Sequence, residues 1–255
     1  MKLNIVHSIL LVLLFFVYSS PLIFINYVLF DNSLDEDIIT GISMILSIGL
    51  IIITLNYVNR AKIKFNLKVL DYRLLIFLAF ILILSDIAIT NPGILLIETF
   101  IDNGDSINTN ESYSYLLAAI LIAPIVEEVL FRGIILKGLL ENAKYSPNKG
   151  ILISAILFSI IHFNFIQIFS SLSIGLLLGY YFYKTRSLTG AVLLHFIANM
   201  SILLCSYVNK TLGNSKITSI SDIYGNYSIY IIGVPLVVVV FLIFKLVKNQ
   251  RNIYD

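Results

Sequence analysis

The sequence contains little charge and almost no sulfur. Only 13% of its 255 residues are Asp, Glu, Lys or Arg, whereas 58% are hydrophobic, and a soluble domain usually has about 25% charged residues. The one cysteine, Cys205, excludes an intramolecular disulfide. The net charge of +2, with no dense basic run, gives no basis for nucleic acid as a partner. Composition therefore predicts an integral membrane protein with the lipid bilayer as its surroundings.

Long apolar runs predict an all-α fold, a polytopic membrane helix bundle of about eight transmembrane helices in a single domain over residues 1–255. About 20 helical residues cross a bilayer. The division between the fifth and sixth spans is the least certain, since only Asn164 and Gln167 interrupt the run, and it allows a tight hairpin or a re-entrant turn. The predicted spans are Ile5–Phe30, Ile38–Val58, Leu74–Thr90, Tyr113–Leu140, Gly150–Phe163, Ile166–Tyr183, Leu188–Tyr207 and Ile229–Val247.

The distribution of charge between the spans predicts the topology. With eight spans, 14 of the 17 basic residues fall on one side, and the loops that follow spans one and three contain acidic residues but no basic ones. The positive-inside rule then places both termini in the cytoplasm. The first apolar run continues past Ser19 and Ser20, which favours a retained span over a cleaved signal peptide.

The stretch Pro124–Arg132 of the apolar fourth span contains three charged residues. A charge at this depth costs at least ~2.5–3.5 kcal/mol and indicates a functional site. Glu128 and Arg132 are four residues apart, so they share a helix face and are expected to pair. Glu127 is rotated by ~100° from Glu128 and has no cation one turn away. The spacing therefore leaves Glu127 to face other spans, although a purely structural role for the cluster stays open.

Polar side chains on two further spans are predicted to lie at the same depth as Glu127. His162 ends the fifth span one turn after Phe158, and His195 and Asn199 lie one turn apart on the seventh. A carboxylate, two imidazoles and an amide can supply a base, an acid and oxyanion donors for hydrolysis. The same groups also suit a proton relay or a metal site.

Three short motifs occur in order on these spans. Glu127–Arg132 fits EExxxR, Phe158–His162 fits FxxxH and His195–Asn199 fits HxxxN. Together they resemble the CAAX protease and bacteriocin-processing family of intramembrane proteases (CPBP, also called Abi). The resemblance covers about residues 113–207, which we take as the predicted catalytic core.

The resemblance implies an intramembrane endopeptidase that cleaves a peptide or a membrane-associated protein. Glu127 would activate water with help from His162, while His195 and Asn199 would stabilise the oxyanion. Supporting positions would be Glu128, Arg132 and Phe158. No cofactor is expected. Zinc remains an alternative, with Glu127, His162 and His195 as its ligands, but the HExxH signature is absent.

Two other functions remain open from the sequence. One is a non-catalytic bacteriocin-immunity or scaffold protein that keeps the fold, and the other is a proton or ion transporter. A transporter would be expected to show an internal repeat, and none is found. The short chain with compact loops is typical of a prokaryotic member of the family, which predicts location in the plasma membrane.

Overall fold

The structure, a computed structural model, is helical wherever regular elements are described. It describes residues 1–30, 34–59, 65, 70–90, 114, 117–163, 165–211, 227, 230 and 232–239. No strand occurs in these ranges, so the predicted all-α class is confirmed. Their helices are α1 (Ile5–Phe30), α2 (Glu36–Asn59), α3 (Tyr72–Ser85, continued by the π-helical Asp86–Thr90), α4 (Ala118–Ile122, Ala123–Glu128, Val129–Leu136 and Lys137–Leu140 in succession), α5 (Pro147–Ile160), α6 (Phe165–Thr185), α7 (Leu188–Thr211) and α8 (232–239).

Helix α1 has the predicted limits, and other helices differ from their predicted spans by a few residues. Helix α5 begins at Pro147 because Ser146 caps it, its hydroxyl accepting a hydrogen bond from the Lys149 amide at 3.4 Å. The predicted start of the fourth span, Tyr113, lies outside the described residues, as does most of the predicted eighth span.

Within the described ranges, two helices are long and apolar enough to cross a membrane by length and composition, Ile5–Phe30 and Glu36–Val58. On α1, the side chains of Leu13, Val17 and Phe24 are more than half exposed. Large apolar side chains exposed in this number are typical of a lipid-facing surface. The described helices thus agree with a helical membrane bundle.

The chain forms two compact units. The first comprises Met1–Leu75 and Asn110–Asn199, and the second comprises Ile76–Thr109 and Met200–Asp255. In the second unit, the hydroxyl of Ser201 donates a hydrogen bond to the buried Asp86 carboxylate. All the predicted site residues belong to the first unit.

Helix α4 lies at the centre of the first unit. Side chains from α1, α2, α4 and α5 form one apolar cluster around it, which includes Leu11, Phe15, Ile48, Ile51, Leu130, Phe131, Ile134, Ile135 and Phe158. Every residue from Leu130 to Leu136 is buried. Because this stretch is enclosed on all sides, its polar groups must find partners within the protein.

Helices α5 and α6 pack side by side as a tight hairpin. Helix α5 ends at Ile160, and α6 begins at Phe165. Gly175 permits the close approach, since a Cβ there would lie 3.1 Å from the Phe158 ring and 3.2 Å from the Ala155 backbone. The uncertain division between the fifth and sixth spans thus lies between two separate helices, and α5 is followed by a turn at Ile161 and His162.

Helix α1 runs antiparallel to α4, and contacts at both ends show this. At one end the Leu3 amide donates to the Gly138 carbonyl at 2.9 Å, and the Asn142 side chain donates to the Leu3 carbonyl at 2.7 Å. At the other end the Ser114 hydroxyl donates to the Asp35 carboxylate at 2.6 Å. This last bond holds the pKa of the Asp35 carboxyl below its usual range. The arrangement agrees with the predicted alternation of basic and acidic loops, while the cytoplasmic location of the termini stays a prediction.

Replacing Gly138 by alanine should destabilise the first unit. A Cβ at this position would lie 2.4 Å from the Leu3 Cγ, and overpacking of this kind typically costs about 1–3 kcal/mol. Thermal unfolding in detergent should show a lower midpoint for Gly138→Ala, partly restored in Leu3→Ala/Gly138→Ala. Gly49→Ala is the matched control because a Cβ there meets nothing within 4 Å. Equal midpoints for the Gly138 and Gly49 variants would contradict this account.

Candidate active site

The backbone of α4 changes from α-helical to π-helical at the predicted site. The segment Ala123–Glu128 is α-helical, and Val129–Leu136 has the wider π-helical turn. Short π-helical segments occur frequently at functional sites because they rotate the side chains that follow and release backbone carbonyls. One carbonyl, that of Phe131, accepts a hydrogen bond from the Ser154 hydroxyl on α5 at 3.0 Å. Helix α5 thus helps to satisfy the polar backbone of the widened segment.

Glu128 and Arg132 form the predicted ion pair. The Arg132 Nη1 lies 2.6 Å from the Glu128 Oε1, and both side chains are fully buried. In an environment of low polarity such a pair gains stability from further contacts made by its remaining donors and acceptors. The contacts of Arg132 and Glu128 beyond the pair therefore define the site.

Arg132 reaches α6 and the aromatic ring of Phe158. Its Nη2 donates to the Gly175 carbonyl at 3.1 Å, and its guanidinium carbon lies 4.6 Å from the centre of the Phe158 ring. An arginine face over an aromatic ring gains a cation–π interaction, which is stronger when water is excluded. Arg132 consequently links three helices, α4, α5 and α6.

His195 on α7 lies between the two glutamates. Its Nδ1 is 3.0 Å from the Glu128 Oε1, and its Nε2 is 3.8 Å from the Glu127 Oε2. Glu128 therefore contacts both Arg132 and His195 through the same oxygen. A carboxylate on one ring nitrogen fixes the orientation and tautomer of the imidazole, so Glu128 directs the other nitrogen of His195 towards Glu127.

Phe158 separates and supports the two histidines. Its ring is edge-on to His195 at 5.5 Å and edge-on to His162 at 5.3 Å between centroids. The Nδ1 of His162 lies 3.1 Å from the Phe158 carbonyl. His162 is half-buried. The FxxxH spacing thus places both imidazoles against one aromatic ring.

Asn199 contacts the beginning of α4. Its side-chain nitrogen donates to the Ala119 carbonyl at 2.8 Å. Ala119 lies in the first π-helical turn, Ala118–Ile122. The amide nitrogen carries two hydrogens, so one remains after this bond.

The structure brings the predicted site residues together around the carboxylates of α4. Glu127 and Glu128 contact His195, Phe158 contacts both histidines and Arg132, and Asn199 approaches from α7 one turn beyond His195. The sequence reasoning missed the Glu128–His195 contact and the Gly175 carbonyl. A carboxylate has two oxygens and accepts several bonds, but nothing in the spacing of α4 reveals which residue of another helix reaches it.

The candidate zinc ligands do not form a metal-binding group in the described part of the chain. Glu127 and His195 are near each other, but the described ranges contain no group of three His, Cys, Asp or Glu side chains arranged to hold a metal ion. Structural and catalytic zinc sites use at least three protein ligands. Independence from a cofactor stays a prediction.

A comparison with known families assigns the segment that contains this site. Residues 109–201 match the family model described as "Type II CAAX prenyl endopeptidase Rce1-like". This segment is similar to the Rce1-like family. The match confirms the predicted resemblance to CAAX proteases and the enzyme class, an endopeptidase of the membrane. No curated protein and no solved structure gives a significant match to the chain.

Every predicted site residue falls within the Rce1-like segment, and α1, α2 and α3 lie outside it. The segment includes α4, α5, α6 and most of α7. A peptide substrate in general follows from the family. The role of each residue does not follow from the match alone.

The buried ion pair yields a stability prediction. Arg132→Met removes the cation and leaves the Glu128 carboxylate buried with less compensation, and breaking a buried pair in this way typically costs about 3–5 kcal/mol. The double variant Glu128→Gln/Arg132→Met removes both charges, so it should be more stable than Arg132→Met alone. Thermal unfolding of the purified proteins in detergent measures both effects. A double variant less stable than the single one would contradict the pairing.

Proposed function

We propose that the chain is an intramembrane endopeptidase in which Glu127 activates the attacking water. The observation that supports this most directly is the position of the Glu127 carboxylate, 3.8 Å from the His195 Nε2 in a buried site. Glu128, by contrast, is engaged by Arg132 and His195. Of the two adjacent glutamates, Glu127 is therefore the one free to act on a substrate.

In the proposed reaction, the Glu127 carboxylate removes a proton from water as the water oxygen attacks the scissile carbonyl carbon. A tetrahedral intermediate forms, and its negative charge lies on the former carbonyl oxygen. The proton then passes to the leaving nitrogen as the carbon–nitrogen bond breaks. A carboxylate can serve as a general base in this exchange when it lies within hydrogen-bond reach of the proton that it removes.

His195 and Asn199 are proposed to donate hydrogen bonds to the oxyanion. They lie one turn apart on α7, so both side chains can approach the same carbonyl oxygen. Asn199 would use the hydrogen that it does not give to Ala119. Donors held in place before the reaction stabilise developing charge without reorganisation. His162 is proposed to assist Glu127, since it packs on the same Phe158 ring as His195.

The proposed substrate is a peptide or a membrane-associated protein, and the proposed location is the plasma membrane with both termini in the cytoplasm. The intramembrane site and the family of its segment support such a substrate. The excess of basic residues on one side supports the orientation.

Replacing Glu127 tests the base. Glu127→Gln keeps the shape of the side chain but not its basicity, so cleavage by the purified protein should be abolished, as it should be in Glu127→Ala.

Cleavage products from wild-type and variant cells, compared by mass spectrometry of their peptides, would also identify the substrate. Glu36→Gln, an exposed glutamate in the first turn of α2, is the matched control and should keep full activity. Full activity of Glu127→Gln would exclude the mechanism, and an immunity phenotype that survives Glu127→Ala would favour a non-catalytic role.

Replacing Asn199 tests the oxyanion donor. Asn199→Ala should lower kcat by about 10²–10³, the usual cost of one oxyanion donor, with KM little changed. Steady-state kinetics on the identified substrate measure the two constants separately. A rise in KM with kcat unchanged would assign Asn199 to substrate binding instead.

A further inference from the structure

The turn after α5 has an unusual backbone beside a proposed site residue. Phe163, which directly follows His162, has φ of 51°, a left-handed conformation that non-glycine residues rarely adopt. The turn is closed by two hydrogen bonds, from the His162 amide to the Ser159 carbonyl and from the Phe163 amide to the Ile160 carbonyl. Residues held in such conformations cluster at functional sites and persist only where the surroundings enforce them.

The surroundings that hold this turn include a contact from α1. The ring of Phe163 packs against the ring of Phe16 with 5.3 Å between centroids and 58° between planes. Phe16 in turn contacts the buried Phe15 of α1. Otherwise Phe163 is largely exposed, at 76%, so burial of its own side chain does not explain the strained backbone.

We propose that Phe16 positions His162 by holding the strained turn at Phe163. The contacts of His162 with the Phe158 ring and with the Phe158 carbonyl both lie within its own helix end, so neither of them holds that end against another helix. The Phe16–Phe163 contact fixes the residue after His162 and so limits the imidazole to one orientation. Phe16 thereby extends the active site to α1, a helix outside the Rce1-like segment. The inference rests on the proposed function only in so far as His162 assists the reaction.

A double-mutant cycle on the full-length protein in detergent tests the inference. Phe16→Ala and Phe163→Ala should each lower kcat about tenfold with little change in KM, because the substrate still binds while His162 loses its orientation. The double variant should be no slower than either single variant, since both remove the same contact. Phe163→Tyr, which keeps the aromatic ring, should retain wild-type kcat. Additive losses in the double variant, or a slow Phe163→Tyr, would overturn the proposal.

The matched control is Phe24→Ala. It removes the same atoms from the same helix, at a position that is 64% exposed, and kcat should stay at the wild-type value. A loss of kcat in Phe24→Ala equal to that in Phe16→Ala would show that α1 has only a general structural role. Phe16→Leu keeps most of the volume without the ring, and it should still lower kcat if the aromatic contact matters.

A second measurement separates this inference from the proposed reaction. The rate at which an acylating reagent modifies His162, followed by mass spectrometry in the Glu127→Ala background, does not depend on cleavage. Phe16→Ala should increase that rate several-fold, and Phe24→Ala should not. An increase in the His162 rate together with full activity of Glu127→Gln would reject the mechanism but keep the positioning role. An unchanged rate would reject the positioning role whatever the activity.

Discussion

The buried ion pair between Glu128 and Arg132 constrains how three helices, α5, α6 and α7, pack against α4. Removing two charges from water costs more free energy than one contact between them returns. A buried ion pair therefore needs further partners within the protein. Arg132 donates a hydrogen bond to the Gly175 carbonyl of α6 and lies over the Phe158 ring of α5. Glu128 contacts His195 of α7. Each of these contacts holds one helix against α4. The polar groups that support the site are thus also the groups that specify the packing.

Much of the fold could be predicted because its physical causes act locally. Apolar runs of the length that crosses a bilayer gave α1 with its observed limits, and the spacing of four residues predicted the Glu128–Arg132 contact. The predicted helix limits were less accurate where a capping residue sets the start of the helix, as Ser146 does for α5. They were also less accurate where few polar residues separate two helices, as between α5 and α6. The all-α class did not depend on these details.

The contacts between helices could not be predicted from spacing. The Arg132–Gly175 and Glu128–His195 contacts join residues that are 43 and 67 positions apart, and they depend on how each helix is rotated about its axis. The π-helical segment Val129–Leu136 changes that rotation within α4 itself. A regular 3.6-residue period assumes an unbroken α-helix, so it cannot reproduce the directions of these side chains. The left-handed backbone at Phe163 could not be predicted either. Glycine is the residue that usually adopts this conformation, and position 163 is a phenylalanine.

The docking of Leu3 against Gly138 has a consequence for biosynthesis. The two residues are joined by a backbone hydrogen bond across 135 positions of the chain, and translation adds roughly 5–20 residues per second. Helix α1 is therefore in the bilayer for on the order of 10 s before the end of α4 leaves the ribosome. During that interval the polar backbone ahead of α1 must be satisfied by water or by the insertion machinery. The helix at the centre of the site is consequently the one that completes the packing of α1.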